Sequence, residues 1–517
     1  MFEEMKETMA DSHSKRILKN TIVLYLRMAA TMLIALYTSR VVLANLGIED
    51  YGLYDVVGGV VALFSFLRTS MTSATQRFLS FELGNGDKNQ LKNVFSTCLW
   101  THILITCVIL ILCETIGLWF LNSKINIPEG RETAANLIYQ FSVISLCVNM
   151  VVVPYSACVI SHERMAIFAY ISIFNSILKL LVALAISISL IDKLVFYGAL
   201  MMFVFFIDFF LYFWICRKKF PETICRFKFD KKLFMEIFKF SGWTLLGQLA
   251  VIGAGQGASI LTNIFHSVTA NAAMGVAQQA NGAISGLVSN FQTAYQPQIT
   301  KSYASQDWEY LHKLIYQTSK ISFFLLFIVS IPILFNIDFL LKVWLGNVPR
   351  YAAEFVIFFL IASMLNAIGG PLWMSIFATG KIRDYQIAVS FAFLLDIILV
   401  YVLFANGLSP VFAVVAKVIT NLVVIFIRMF YVKKHILGFS IRQYFKNVII
   451  PILASTFFSA SISVLLFNSL SKILGKLLVT FLCFIATFIT VYLVALSREE
   501  RKAVLKFVKN KLPIWTS

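Results

Sequence analysis

The chain has 517 residues, of which 59% are hydrophobic and 14% charged, with 49 Phe and a mean hydropathy of +0.81. Soluble domains carry about 25% charged residues, so composition excludes a soluble globular enzyme and predicts an integral membrane protein. The net charge of +18 comes from 44 Lys and Arg against 26 Asp and Glu. The cations lie mostly in short loops between apolar runs, where they fit membrane orientation and contact with anionic lipid; no nucleic-acid partner is expected.

A membrane span needs about 20 mostly apolar residues. On that criterion the N-terminal half holds six spans, near 18–45, 53–83, 92–121, 137–160, 164–190 and 194–216. Six more follow near 237–265, 270–299, 312–337, 353–378, 384–405 and 409–432, and two extra ones near 445–468 and 474–496. The predicted fold class is therefore an all-α integral membrane protein of about fourteen transmembrane helices. The expected organisation is a six-helix lobe at 1–216, a basic linker at 217–236, a second six-helix lobe at 237–434, two extra helices at 435–497 and a basic tail at 498–517. No cleaved signal peptide is expected, since the charged start leads into an apolar run of full span length without a small-residue cleavage site.

Loop charge sets the topology. The stretch from Cys216 to Lys239 holds Arg217, Lys218, Lys219, Arg226, Lys228, Lys231, Lys232 and Lys239. Loops on its side carry Lys6, Lys15, Arg16, Lys19, Lys88, Lys92, Arg164, Lys301, Lys381 and Arg383, whereas the opposite loops are poor in cations: Asn45–Tyr51, His266–Thr269 and Ala405–Ser409 carry none, and the rest only Lys124, Arg131, Lys193, Lys342, Arg350, Lys472 and Lys476. Cationic loops stay on the cytoplasmic side, which predicts a cytoplasmic linker and cytoplasmic termini.

The halves read as a duplication. CVNMVVVPYSACVISHER (147–164) and MLNAIGGPLWMSIFATGK (364–381) align without a gap at an offset of 217, matching Pro154 with Pro371, Arg164 with Lys381, and Lys179 with Asp396. A second alignment at an offset of 220 matches Ser65, Thr69, Thr72 and Gln76 with Ser285, Ser289, Gln292 and Gln296. An even number of spans per half makes this a parallel pseudo-two-fold repeat.

Two polar stripes recur every three to four residues: Ser65, Thr69, Thr72, Gln76 and Ser80, and Gln278, Ser285, Ser289, Gln292 and Gln296. Such spacing gathers them on one helix face, where they serve either helix-to-helix hydrogen bonds or a water-filled cavity. Arg27, Arg68, Lys179, Lys417 and Arg428 are cations at span depth, against the acids Asp208 and Asp396. Each costs a few kcal/mol unless paired or hydrated. The substrate-binding candidates are Arg27, Arg68, Gln76, Lys179, Gln278, Gln292, Gln296 and Asp396; Pro154, Pro371, Asp208 and Asp396 are candidates for gating or coupling. The alternative for Lys179 is a structural ion pair with Asp396 or Asp208, and for Pro154 and Pro371 a static kink. The cationic excess favours an anionic ligand such as a phosphate or carboxylate.

The eight cysteines, at 98, 107, 113, 147, 158, 216, 225 and 483, form no CxxC pair and read as reduced, apolar side chains. No metal, no cofactor and no catalytic residue is expected.

RILKNTIVLYLRMAATMLIALYTSRVVLANLGIEDYGLYDVVGGVV (16–61), with Asp50, Tyr51 and Gly52 after the first span, and SATQRFLSFELGNGD (73–87) are similar to O-antigen and capsule flippases. The chain resembles polysaccharide flippases of the multidrug/oligosaccharidyl-lipid/polysaccharide exporter superfamily. That resemblance implies a non-enzymatic transporter of the bacterial inner membrane, moving an undecaprenyl-diphosphate-linked oligosaccharide from the inner to the outer leaflet by alternating access, for surface polysaccharide such as lipopolysaccharide O-antigen. It also implies a groove for the lipid tail at 445–496. Membrane lipids, a polysaccharide polymerase and chain-length machinery are the implied partners, with the chain itself a monomer. The competing readings are a cation-coupled multidrug exporter and a membrane-embedded glycosyltransferase or polymerase.

Overall fold

A computed structural model describes residues 2–62, 65–124, 127, 130–224, 230–497 and 500–501. Cys225, Arg226 and Lys228 of the linker and the tail residues 498–499 and 502–517 lie outside the described residues, as do the side chains of Lys6, Lys15 and Ser65. The described residues are mostly helical, with no strand among them.

The main helices are α1 (Phe2–Ala62), α2 (Ser65–Asn85), α3 (Lys88–Leu112), α4 (Glu132–Ser161), α5 (Met165–Ala185), α6 (Lys193–Lys219), α7 (Lys231–Phe265) and α8 (Val268–Ala304). They continue as α9 (Trp308–Phe335), α10 (Ile337–Leu345), α11 (Ala352–Ile368), α12 (Gly370–Thr379), α13 (Arg383–Ala405), α14 (Phe412–His435), α15 (Ile450–Leu474) and α16 (Lys476–Thr490). Among the described residues, eleven helices are long and apolar enough to cross a membrane, and the bent pair α11–α12 makes twelve. Neither α2 nor α8 passes that test; adding these two gives fourteen. They are the helices that carry the Ser/Thr/Gln stripes, which lower their mean hydropathy while leaving them helical. Large apolar side chains such as Leu33, Phe210, Trp214, Phe457 and Leu465 are exposed on the helix surfaces. Such a surface suits hydrocarbon rather than water.

Helix ends follow local chemistry. Asp87 caps α3 by accepting from the Asn89 and Gln90 amides, and Asp192 caps α6 by accepting from Leu194 and Val195. These carboxylates satisfy amides that a helix N-terminus leaves unpaired. α1 bends at Gly47, whose φ of 79° and ψ of 172° no helix accommodates. The bend divides the first predicted span from the start of the second.

The described chain divides into two compact units. The first contains residues 1–249, 293–307 and 377–386, so the ends of α7, α8 and α12 belong with the N-terminal helices. Within it, α4 is central and packs on α1, α2, α3 and α6, while α1 also packs on α5. Arg131 bonds both Asp50 and Asp192, tying the part of α1 beyond its bend to the starts of α4 and α6. Asp50 of the Asp-Tyr-Gly sequence therefore serves a contact between helices.

The second unit contains residues 250–292, 308–376 and 387–517. Here α11 packs on α9 and α14, and α15 and α16 pack on each other and on α9. The Asn336 amide donates to Thr480 Oγ1 at 2.7 Å, and Lys320 pairs with Glu500 at 2.8 Å. These two bonds fasten the extra helices and the following segment to α9.

Candidate functional site

Four helices of the first unit bring ionisable groups together. Arg27 comes from α1, Arg68 from α2, Lys179 from α5, and Asp208 with Tyr212 from α6. Lys179 and Arg68 both lie within electrostatic reach of Asp208, and Arg27 and Arg68 within reach of Tyr212. Asp208 also accepts a hydrogen bond from Asn175, one turn before Lys179 on α5. All four charged residues are half-buried. Three cations against one carboxylate give a formal excess of two positive charges.

Aromatic rings hold two of the cations. The Arg27 guanidinium lies 4.8 Å from the Phe168 ring centre, and the Lys179 ammonium 5.4 Å from that of Phe205. Ring faces attract cations without neutralising them. The Arg68 Nε is buried without a hydrogen-bond partner among the described residues. Such a donor stays costly until an acceptor reaches it. A group with several anionic oxygens would supply acceptors to the whole cluster.

Asp396 sits in the second unit. It accepts from Thr420 Oγ1 at 2.8 Å and has Lys417 within electrostatic reach. Lys417 lies 5.2 Å from the Phe359 ring centre. Lys179 and Asp396, matched by the repeat, thus each have charge partners inside their own unit.

The other predicted residues are distributed. Gln76 on α2 is half-buried, and its backbone carbonyl accepts from Ser161 Oγ at 3.3 Å. Gln296 is also half-buried in the first unit, while Gln292 is half-buried and Gln278 exposed in the second. Ser80 is turned inward and bonds Ser161 at 3.0 Å, and Thr69 is exposed. The stripe therefore serves helix contacts at one end and an open face at the other.

The two matched prolines act differently. α4 runs unbroken through Pro154. Pro371 follows a break at Gly369 where α11 and α12 meet at 40°. The Tyr444 hydroxyl donates to the Ile368 carbonyl at the break at 3.2 Å, satisfying one backbone group there, and beside it Arg428 Nη1 donates to the Asn366 side-chain Oδ1 at 3.0 Å.

The sequence reading missed a second set in the first unit. Glu163, only 2% exposed at its side chain, pairs with Lys301 at 2.6 Å and Arg16 at 3.2 Å, and accepts from Gln298 at 3.1 Å. The Asn20 amide donates to the Glu163 carbonyl at 3.2 Å. Arg77 donates to the Ala378 carbonyl at 3.0 Å and lies 4.6 Å from each of the Phe78 and Phe81 ring centres. Phe240 completes this second group by edge contacts with Phe78 and Phe377. An acid at the end of an apolar run was the available signal for Glu163; its partners, 138 residues away in the case of Lys301, are not local.

A family model described as polysaccharide biosynthesis protein matches residues 17–303. No curated protein matches the chain. Solved structures match its fold. One is an outward-facing multidrug resistance MATE family transporter of the MOP superfamily, 15% identical, with a TM-score of 0.69 over 82% of this chain and 96% of that one. A Vibrio cholerae MATE transporter, solved as a mutant, is 13% identical, with a TM-score of 0.69 over 83% and 98%. A MOP superfamily transporter from Pyrococcus furiosus, described by the reverse polarity of its binding pocket, is 15% identical, with a TM-score of 0.68 over 81% and 96%.

Proposed function

The chain belongs to the polysaccharide biosynthesis protein family, and from that premise we propose that it is a flippase for an undecaprenyl-diphosphate-linked oligosaccharide in the bacterial inner membrane. It has the fold of MOP superfamily exporters and is a multi-pass membrane protein. The single observation that carries the substrate reading is the cationic cluster in the first unit, where Lys179 and Arg68 share the carboxylate Asp208 and Arg27 joins Arg68 beside Tyr212. A diphosphate offers several anionic acceptors to a fixed group of cations, and charge-assisted bonds of this kind are the strong ones. Arginine supplies planar forks, and lysine a mobile point charge that follows a phosphate as its surroundings change.

In this reading the chain performs no chemistry on its cargo. It lowers the cost of carrying a charged headgroup past the hydrocarbon layer by replacing water with fixed cations. The polar face of α2, in the same unit as the cationic cluster, offers hydroxyls and an amide to the sugar. The lipid tail stays in the bilayer, beside α15 and α16. Both termini and the linker are cytoplasmic, so the headgroup enters from the side that holds the basic loops.

The test is reconstitution. The purified chain in liposomes should move a fluorescent undecaprenyl-diphosphate oligosaccharide between leaflets, and inorganic diphosphate should compete for binding. Transport of a cationic drug against an ion gradient, with no movement of the lipid-linked sugar, would replace this reading with that of a multidrug exporter.

A further inference from the structure

A second cluster stands where α4 ends, apart from the cationic one. Cys158 and His162 lie one turn apart at the end of α4. Glu222 stands on the short turn Pro221–Thr223 that follows α6. One donor atom from each, a thiol sulfur, an imidazole nitrogen and a carboxylate oxygen, lies within 4.8 Å of the other two. Glu222 Oε1 contacts His162 Nε2 and stands 3.6 Å from Cys158 Sγ. Cys158 and Glu222 are buried at 1% and 6% exposure, and His162 is half-buried.

The surroundings fix these groups in place. Phe220 stacks on the His162 ring at 4.4 Å, and Arg16 donates to the His162 carbonyl at 3.3 Å. A buried carboxylate gains little from a thiol, which is a weak donor. A mixed sulfur, nitrogen and oxygen set is instead what zinc takes. Zinc bonds of about 2.0–2.3 Å in a tetrahedron place ligand atoms roughly 3.3–3.8 Å apart, which the spacing of Cys158 and Glu222 already meets.

We propose that Cys158, His162 and Glu222 form a binding site for one divalent transition-metal ion, zinc by preference, that staples the start of the basic linker to the end of α4. The ion takes the place of the direct His162–Glu222 contact. Cys158 binds as thiolate and its proton leaves to solvent, so thiolate and carboxylate together balance the two charges of the ion. Water supplies the fourth ligand. The proposal does not depend on what the protein transports.

The experiment uses the untagged full-length chain, purified in detergent without chelator. Metal content is measured by mass spectrometry, and the chelator-stripped protein is titrated with Co²⁺. The expected result is about one zinc per chain, and a thiolate-to-cobalt charge-transfer band that zinc abolishes. Cys158→Ser, His162→Ala and Glu222→Gln should each lower metal content at least about fivefold. Because the wild-type stoichiometry and the cobalt band are read without any variant, poor folding of a variant leaves the test intact. Wild-type protein that carries no more metal than Cys158→Ser, or that binds cobalt without the sulfur band, would overturn the proposal and leave a plain His162–Glu222 contact.

Discussion

Glu163 and Gly380 stand at the same point of a repeated helix end, with φ of 58° and 76°. They are 217 positions apart, the offset at which the two halves align. Each follows the end of a helix, α4 or α12, and each precedes a cation, Arg164 or Lys381. Glycine enters this left-handed conformation freely, whereas another residue pays about 1–2 kcal/mol. Glu163 is held there by Lys301, Gln298 and Arg16. At Gly380 a Cβ would stand 2.8 Å from Arg77 Nη2. The ties are reciprocal: the end of α8 serves the helix stop of the first repeat, and the end of α2 serves that of the second. A pseudo-two-fold duplication has this pattern.

Removing Lys301 tests the first of these ties. Lys301→Ala leaves the Glu163 carboxylate buried with Arg16 as its remaining cation. Breaking a buried pair typically costs about 3–5 kcal/mol. The expected outcome is a clear fall in the thermal midpoint of the detergent-solubilised protein, partly recovered by adding Glu163→Gln. A double variant no more stable than Lys301→Ala alone would show that the pair is not what holds this end.

Acid should act through the same carboxylate. Burial pushes the Glu163 carboxyl up, but the Lys301 ammonium, the bonds from Lys301 and Gln298, and the Arg16 charge together bring it below its ordinary value. A depressed carboxyl stabilises the fold above its unfolded pKa, about 4.3, and that contribution fades as pH falls through the folded value. Thermal unfolding followed from pH 7 to pH 3 should therefore show a loss below about pH 4.3 that is smaller in Glu163→Gln. Equal losses in both proteins would assign acid sensitivity elsewhere.

Gly84 tests how closely α2 and α8 approach. A Cβ on Gly84 would lie 2.7 Å from the Lys301 carbonyl oxygen and 2.8 Å from both Lys301 Cα and Ala304 Cβ. Backbone cannot move aside as a side chain does, and overpacking of this kind costs about 1–3 kcal/mol. Gly84→Ala should lower the thermal midpoint, and Gly58→Ala, where a Cβ meets nothing within 4 Å, should lower it much less. Equal effects would refute the close approach.

Lys179→Ala should lower surface glycan at least about tenfold in a strain lacking the native gene, with unchanged protein in the membrane. Lys179→Arg should keep part of the activity. A Lys179→Asp, Asp208→Lys exchange separates the roles: an anion-binding lysine is lost by the swap, whereas a structural pair survives it. Normal glycan from Lys179→Ala would remove this residue from the mechanism.

The linker is expected to face the cytoplasm. A single cysteine placed at the exposed Lys218, in a chain stripped of its own cysteines, should react with an impermeant maleimide after permeabilisation alone. Labelling in intact cells would invert the topology.

Much of this protein is legible in the sequence because hydrophobic runs and helical periodicity are local. The apolar runs specify membrane helices, since hydrocarbon leaves no other way to satisfy a lone backbone segment. The polar stripes of α2 and α8 follow from three-to-four-residue spacing, and the duplication from a gapless offset. Deep cations at Arg27, Arg68 and Lys179 are visible as charges within apolar runs. What spacing along one helix leaves open is the partner across space. Tertiary packing sets Asp208 and Arg68 within electrostatic reach of Lys179 and gives Asp396 to Thr420 and Lys417. It also brings Glu163 to Lys301, Asp50 to Arg131, and Glu222 to His162. A charge declares in the sequence that it needs a partner; which helix supplies that partner is decided when the helices pack.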